Sequence, residues 1–345
     1  MLTAIAQTTL LDDVFLEDPT TNSLESFVAS LTGKPAALLV LSGTMGNQVS
    51  LAAHLTGPPH GILCDHRSHI QLYEAGGAAT LNGAMVESVV PRNGVHLTLE
   101  DVRAHAVVPE GEEEVDVHAC PTKVVCLENT LDGTILPLDE CRRISAWARE
   151  RGTKMHLDGA RLWEAVVAGA GSLEDYCACF DSVSLCFSKG LGAPIGSIVV
   201  GEKPFIKRAR WIRKMIGGGL RQAGVVSAAA RVGVEETFLG GKLKKSHDNA
   251  KKVEKMWLKL GGKVSSPVET NMVILDLEAA RCSNAEFIKL AQTHGLRVMG
   301  ERLVVHYQIS DEALERLERL MQDVINGKKI PNIDPKDIQR NVPYR

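Results

Sequence analysis

Through its first two-thirds the chain alternates short, nearly all-apolar runs with longer helix-compatible stretches, and this rhythm restricts the fold more than any other feature. The strand-like runs are residues 36–41, 62–65, 124–128, 154–158, 182–188 and 197–200. Several lack the in–out alternation of a half-exposed strand, which marks strands buried on both faces. Between them, residues 24–33, the stretch following Ser42-Gly43-Thr44 to Leu55, residues 70–74 and residues 138–151 suit helices. The pattern predicts an α/β fold with a largely parallel sheet covered on both sides. Functional loops then belong at the carboxyl ends of the strands.

After Gly201 the character changes. Residues 203–215, 222–239 and 242–260 read as helices, followed by a strand at 272–277, a helix at 284–294, a strand at 303–308 and a helix at 311–325. This suits a smaller α+β domain. The expected division is 1–235 for a large domain, 236–328 for a small one and 329–345 for a tail, since residues 327–345 hold three prolines and little periodicity. The formal net charge of -3 and the lack of a long basic run leave no electrostatic footprint for nucleic acid. No apolar run reaches the roughly 18 residues of a membrane span, and the first residues carry no positive charge of the kind that opens a signal peptide. The eight cysteines are scattered without zinc-ligand spacing, which predicts free thiols in a reducing compartment and a cytoplasmic protein. No metal site is expected.

Five places put polar or flexible residues where strands end. Ser42-Gly43-Thr44 offers backbone N–H groups and hydroxyls suited to a phosphate, although an N-capping turn has the same composition. Asp158 closes an apolar strand ahead of Gly159 and Arg161; such an acid needs a partner, either a protonated ring nitrogen or Arg161 itself. Lys189 follows the apolar strand 182–188, where burial would make its amine a better nucleophile toward an aldehyde; a lysine reaching solvent is the plainer alternative. Residues 211–221 combine Arg213, Lys214, three glycines and Arg221, either a basic loop closing on an anion or a solvated helix end. Arg302 precedes the strand 303–308 and is either a carboxylate clamp or a surface residue.

Together these make one inventory: anion cradle, ring-nitrogen acid, Schiff-base lysine, basic clamp and carboxylate arginine. The sequence resembles the low-specificity L-threonine aldolase family, of fungal type, from about Leu11 to about Leu320. The resemblance is carried by Asp12-Asp13-Val14-Phe15, Ser42-Gly43-Thr44, His69 ahead of Glu74-Ala75-Gly76-Gly77, and Leu127-Glu128-Asn129-Thr130. It continues with His156-Leu157-Asp158-Gly159-Ala160-Arg161, Ser188-Lys189-Gly190, the 213–222 segment and Arg302-Leu303-Val304-Val305-His306. It implies fold type I of the pyridoxal 5'-phosphate (PLP)-dependent transferases, the aspartate aminotransferase superfamily, with a mainly parallel seven-stranded sheet in the large domain. It implies a carbon–carbon lyase acting on threonine, allo-threonine and related 3-hydroxy amino acids, and a homodimer or homotetramer. By position, Lys189 would carry the cofactor, Asp158 would face its ring nitrogen, and His69 would stack on the ring near the substrate hydroxyl. Gly43, Thr44 and Ser188 would hold the phosphate, helped by Lys214 and Arg221, from the same or a partner subunit. Arg161, bordering the cofactor, and Arg302 would grip the substrate carboxylate. Glu128 and Asn129 would lie near the ring without bonding to substrate.

The sequence departs from the family in places. Members carry an Arg-Ser-Asp-Thr segment ahead of the Asp-Asp-Val block, and none precedes Asp12 here. Gln71 stands where a Tyr is common, Phe15 where many have Tyr, and Leu131 where bacterial members often have His. Two alternatives stay open: an alanine racemase on the same scaffold, using His69 and Lys189 as proton carriers on opposite ring faces, and a truncated homologue with impaired activity.

Overall fold

The structure, a computed structural model, describes residues 1–109 and 116–328. The expected tail, 329–345, lies outside the described residues. Two compact units are present: Met1–Leu131 with Ile135–Gly241, and Asp132–Thr134 with the chain from Lys242 onward.

The first unit is built on seven strands: β1 (Ala36–Val40), β2 (Gly61–Asp65), β3 (Met85–Val89), β4 (Thr122–Glu128), β5 (Lys154–Asp158), β6 (Ser182–Cys186) and β7 (Ser197–Gly201), in the order β1-β7-β6-β5-β4-β2-β3. β2 through β6 pair in parallel. β7 is antiparallel to both β1 and β6, so β1 runs the same way as the parallel set. Six strands match the sequence expectation. β3 does not: Met85-Val86-Glu87-Ser88-Val89 is an edge strand mixing polar with apolar residues, and only Val89 is buried.

The central strands are buried throughout, which is why their sequences are nearly continuous in Val, Leu and Ile. One apolar layer joins Leu38, Val40 and Val199 to Val49 and Ala53 of the helix Gly43–His54 and to Ile206 and Ala209 of the helix Lys203–Met215. Another gathers Leu51, Ile62, Cys64, Ile70, Val124 and Cys126. Each large side chain so buried contributes about 1.5–3 kcal/mol. The helix Gly43–His54 lies against β6: a Cβ on Gly46 would come within 2.4 Å of Ser184 Oγ, and one on Gly43 within 2.8 Å of Cys186 Sγ. Glycine at both positions lets the helix approach the sheet.

Two boundaries differ from expectation. The helix read at 222–239 runs over Gly224–Val232 and continues through Gly233–Leu239 as a wider turn, and the first unit extends to Gly241 rather than ending at 235. In the second unit the strands are short, β8 (Met272–Ile274) and β9 (Arg302–Val304), paired antiparallel. Its core packs Val253, Trp257, Val273, Leu275, Phe287, Leu303, Leu317 and Leu320 around the helices Leu243–Lys259, Asn284–Thr293 and Asp311–Ile325.

Candidate active site

β1, β2, β4, β5 and β6 point their carboxyl ends at one edge of the sheet, and three of the five sequence-predicted site regions, together with His69 and Glu128, lie at or just after those ends. Gly43 and Thr44 open the helix after β1, where the Ser42 hydroxyl caps the first turn by accepting from Met45 N. His69 follows β2 on the short helix His69–Leu72. Glu128 closes β4 and Asp158 closes β5, and these two are Cα partners across the parallel pair. Ser188 and Lys189 follow β6, Ser188 exposed and Lys189 half-buried.

Asp158 is buried. Its Oδ1 accepts from Ala160 N at 3.0 Å and its Oδ2 from Asn47 Nδ2 at 2.7 Å, so the protein's bonds to it satisfy part of its accepting capacity. The Lys189 amine makes no hydrogen bond or ion pair among the described residues, while the Lys189 backbone carbonyl accepts from Gly192 N at 2.9 Å. The charges of Lys189 and Arg161 act on both Glu128 and Cys186, as does the Asp158 carboxylate. Loss of hydration and the neighbouring Asp158 carboxylate push Glu128 up to about 8, against the pull of Lys189 and Arg161. Glu128 Oε2 accepts from His69 N at 2.9 Å.

The His69 ring is fixed by Glu74, whose Oε1 lies 2.8 Å from Nδ1. Glu74 is buried and also accepts from Asn47 Nδ2 and from Gln48 Nε2. Facing a carboxylate, Nδ1 carries the hydrogen, and Nε2 keeps its lone pair. Sequence reading assigned no role to Asn47, Gln48, Glu74 or His156. The available signal was two adjacent carboxamides, Asn47 and Gln48, in a helix where residues 46–51 are all buried.

The basic segment 211–221 divides. Arg213 is a packing residue: it is buried, pairs with Asp13 Oδ2 at 2.7 Å and donates to Leu39 O. Lys214 and Arg221 are exposed; Arg221 pairs with Asp12, which lowers the Asp12 carboxyl, and lies 5.5 Å over the Phe15 ring. This segment packs beside the start of the helix Gly43–His54, where a Cβ on Gly218 would meet Met45 Sδ at 2.6 Å. Arg302 belongs to the second unit, with Nε 3.8 Å from Asp132 Oδ1.

The arrangement suits an elongated anionic cofactor: a helix start for a phosphate, a buried acceptor for a protonated nitrogen and an unpaired amine for a carbonyl carbon. A model of the beta-eliminating lyase family matches residues 1–280. The chain is 61% identical over 325 residues to the aldolase vrtJ of Penicillium aethiopicum, covering 94% of this chain and 82% of that protein. It is 46% identical over 325 residues to the low-specificity L-threonine aldolase of Candida albicans, covering 94% and 86%. It is also 44% identical over 338 residues to the alanine racemase TOXG of Cochliobolus carbonum, covering 96% and 86%. Among solved structures, the threonine aldolase of Leishmania major shares the fold with a TM-score of 0.78 at 18% identity, covering 94% of this chain and 95% of that one. With its polar residues gathered at one sheet edge and its sequence matched over most of its length, the chain belongs to the beta-eliminating lyase family.

Proposed function

We propose that this protein is a pyridoxal-phosphate-dependent carbon–carbon lyase that cleaves L-threonine, L-allo-threonine and related 3-hydroxy amino acids to glycine and an aldehyde. The observation that carries the reading is a buried carboxylate, Asp158, and an unpaired amine, Lys189, following neighbouring strands in a chain whose relatives include threonine aldolases. The residues fit the cofactor. Asp158 retains accepting capacity for a pyridinium N–H, Lys189 is available for the aldehyde carbon, and Gly43 and Thr44 open a helix suited to the phosphate. Ser188, Lys214 and Arg221 are assigned to the phosphate with them, and Arg161 and Arg302 to the substrate carboxylate, on the family resemblance.

Bound there, pyridoxal phosphate supplies an electron sink for the charge left on Cα when one of its bonds breaks. The chain supplies orientation and proton transfer. His69 Nε2, directed by the Glu74 contact at Nδ1, accepts the proton of the substrate's β-hydroxyl, which releases the aldehyde as the Cα–Cβ bond breaks. Asp158 would hold the ring nitrogen protonated, and the arginines would hold the substrate carboxylate.

A second reading, alanine racemization, is favoured by one observation, the racemase among the relatives. It requires Cα–H rather than Cα–Cβ cleavage. Incubating the protein with pyridoxal phosphate and either L-threonine or L-alanine separates the two. Glycine and acetaldehyde from threonine are expected; D-alanine from alanine, with no glycine from threonine, contradicts the lyase.

A homo-oligomer in the cytoplasm completes the proposal. Trp211 and Met215, 75% and 76% exposed, stand four residues apart on one face of the helix Lys203–Met215, and Phe15 is also exposed, an apolar surface that a second copy would cover. All eight cysteines are free, and among the described residues no helix is long and apolar enough to cross a membrane.

A further inference from the structure

The carboxamide of Asn47 has two hydrogens to give and one oxygen to receive with, and its neighbours fix which end is which. Two carboxylate oxygens, Glu74 Oε1 at 2.8 Å and Asp158 Oδ2 at 2.7 Å, face one end. Carboxylates accept, so that end is Nδ2. Oδ1 then faces His156 Nε2 at 3.1 Å, and His156 must carry its hydrogen on Nε2. Burial drives His156 down to about 4, so its ring is neutral and Nδ1 accepts, from Ser182 Oγ at 2.8 Å. Ser182 Oγ in turn receives from His54 Nε2 at 2.8 Å, with His54 driven down to about 3 by burial and by His156. Donation therefore runs one way, from His54 through Ser182, His156 and Asn47 onto two carboxylates.

On the proposed function, those carboxylates serve two different groups. Asp158 is the ring-nitrogen acid, and Glu74 orients His69. One ligand-capable atom from each of His69, Glu74 and Asp158 lies within 4.8 Å of the others. Two carboxylates this close repel unless a common donor serves both. Asn47 is that donor, and it is fully buried.

We propose that Asn47 is a positioning residue whose amide ties the ring-nitrogen acid Asp158 to the base-orienting Glu74, with His156 locking its orientation. The inference rests on the cofactor reading above. The charged and titratable groups that bear on it or on its two carboxylates are Asp158 and His156 on β5, Glu128 and Cys126 on β4, Cys186 on β6, Glu74 and His69 after β2, Arg161 after β5 and Lys189 after β6.

Asn47→Asp keeps an acceptor for His156 but removes both donations and adds a third carboxyl. Titration of the apo protein with pyridoxal phosphate, followed by protein fluorescence, is expected to show affinity at least ~10-fold weaker at about pH 8. The weaker binding is expected at about pH 6 as well. A variant that binds like the parent at both pH values overturns the inference while leaving the cofactor reading intact. A parent that binds no cofactor defeats the cofactor reading itself. Imidazole nitrogen NMR of the parent tests the assignment with no substitution. The Nε2–H tautomer of His156 is expected throughout this pH range, and an Nδ1–H tautomer overturns the direction of donation on which the inference stands.

Discussion

Glu128 and Asp158 are Cα partners on adjacent parallel strands, so their side chains leave the sheet on the same side and their charges oppose each other. Glu128 is the member that yields, moving from the ordinary 4.5 up to about 8. A carboxyl raised on folding takes up a proton as the chain folds. Its contribution is therefore fully present below about 4.5 and is lost as pH rises through about 8. Glu128→Gln should remove that loss. The apo variant is expected to gain about 2–4 kcal/mol on the parent between about pH 5 and pH 9 in denaturant unfolding; an unchanged difference across that window would show that Glu128 is ionised at neutral pH. Sequence reading singled out residues whose local setting is unusual: Asp158 and Lys189 at the ends of apolar strands, and His69 ahead of Glu74-Ala75-Gly76-Gly77. It missed Asn47, because an asparagine inside a helix does not announce partners 27 and 111 positions away. It read Arg213 as part of a basic loop for the related reason that Asp13, which buries it, lies 200 positions away.

At the scale of elements, the helix Gly43–His54 presents both the turn proposed for the phosphate and Asn47, so its seating on β6 sets the candidate site. Gly46 permits that seating. Gly46→Ala would drive a methyl to 2.4 Å from Ser184 Oγ, and overpacking of this kind costs about 1–3 kcal/mol. The urea midpoint should fall by the corresponding amount, and adding Ser184→Ala should recover part of it; no change in midpoint would mean the helix is free to move off the strand. The buried strands were legible because burial on both faces leaves long apolar runs. β3 was not, since an edge strand needs apolar residues on one side only and its Glu87 and Ser88 break the pattern. Helix ends after Gly201 were harder to read because nothing in the local sequence signals the widened turn at Gly233–Leu239.

Over the whole molecule, the order β1-β7-β6-β5-β4-β2-β3 brings together residues from Gly43 to Lys189 at the carboxyl ends of strands far apart in sequence. The seven-stranded sheet implied by the family resemblance is the one observed, and the second unit carries Arg302 on β9. On the proposed function, Asp158 and Lys189 hold opposite ends of one pyridoxal phosphate ring. Borohydride reduction of the cofactor-loaded protein, followed by peptide mass mapping, tests it most directly. The cofactor's mass should be found on the peptide containing Lys189, and disappear from the map in Lys189→Ala; stoichiometric labelling of any other lysine would contradict the account.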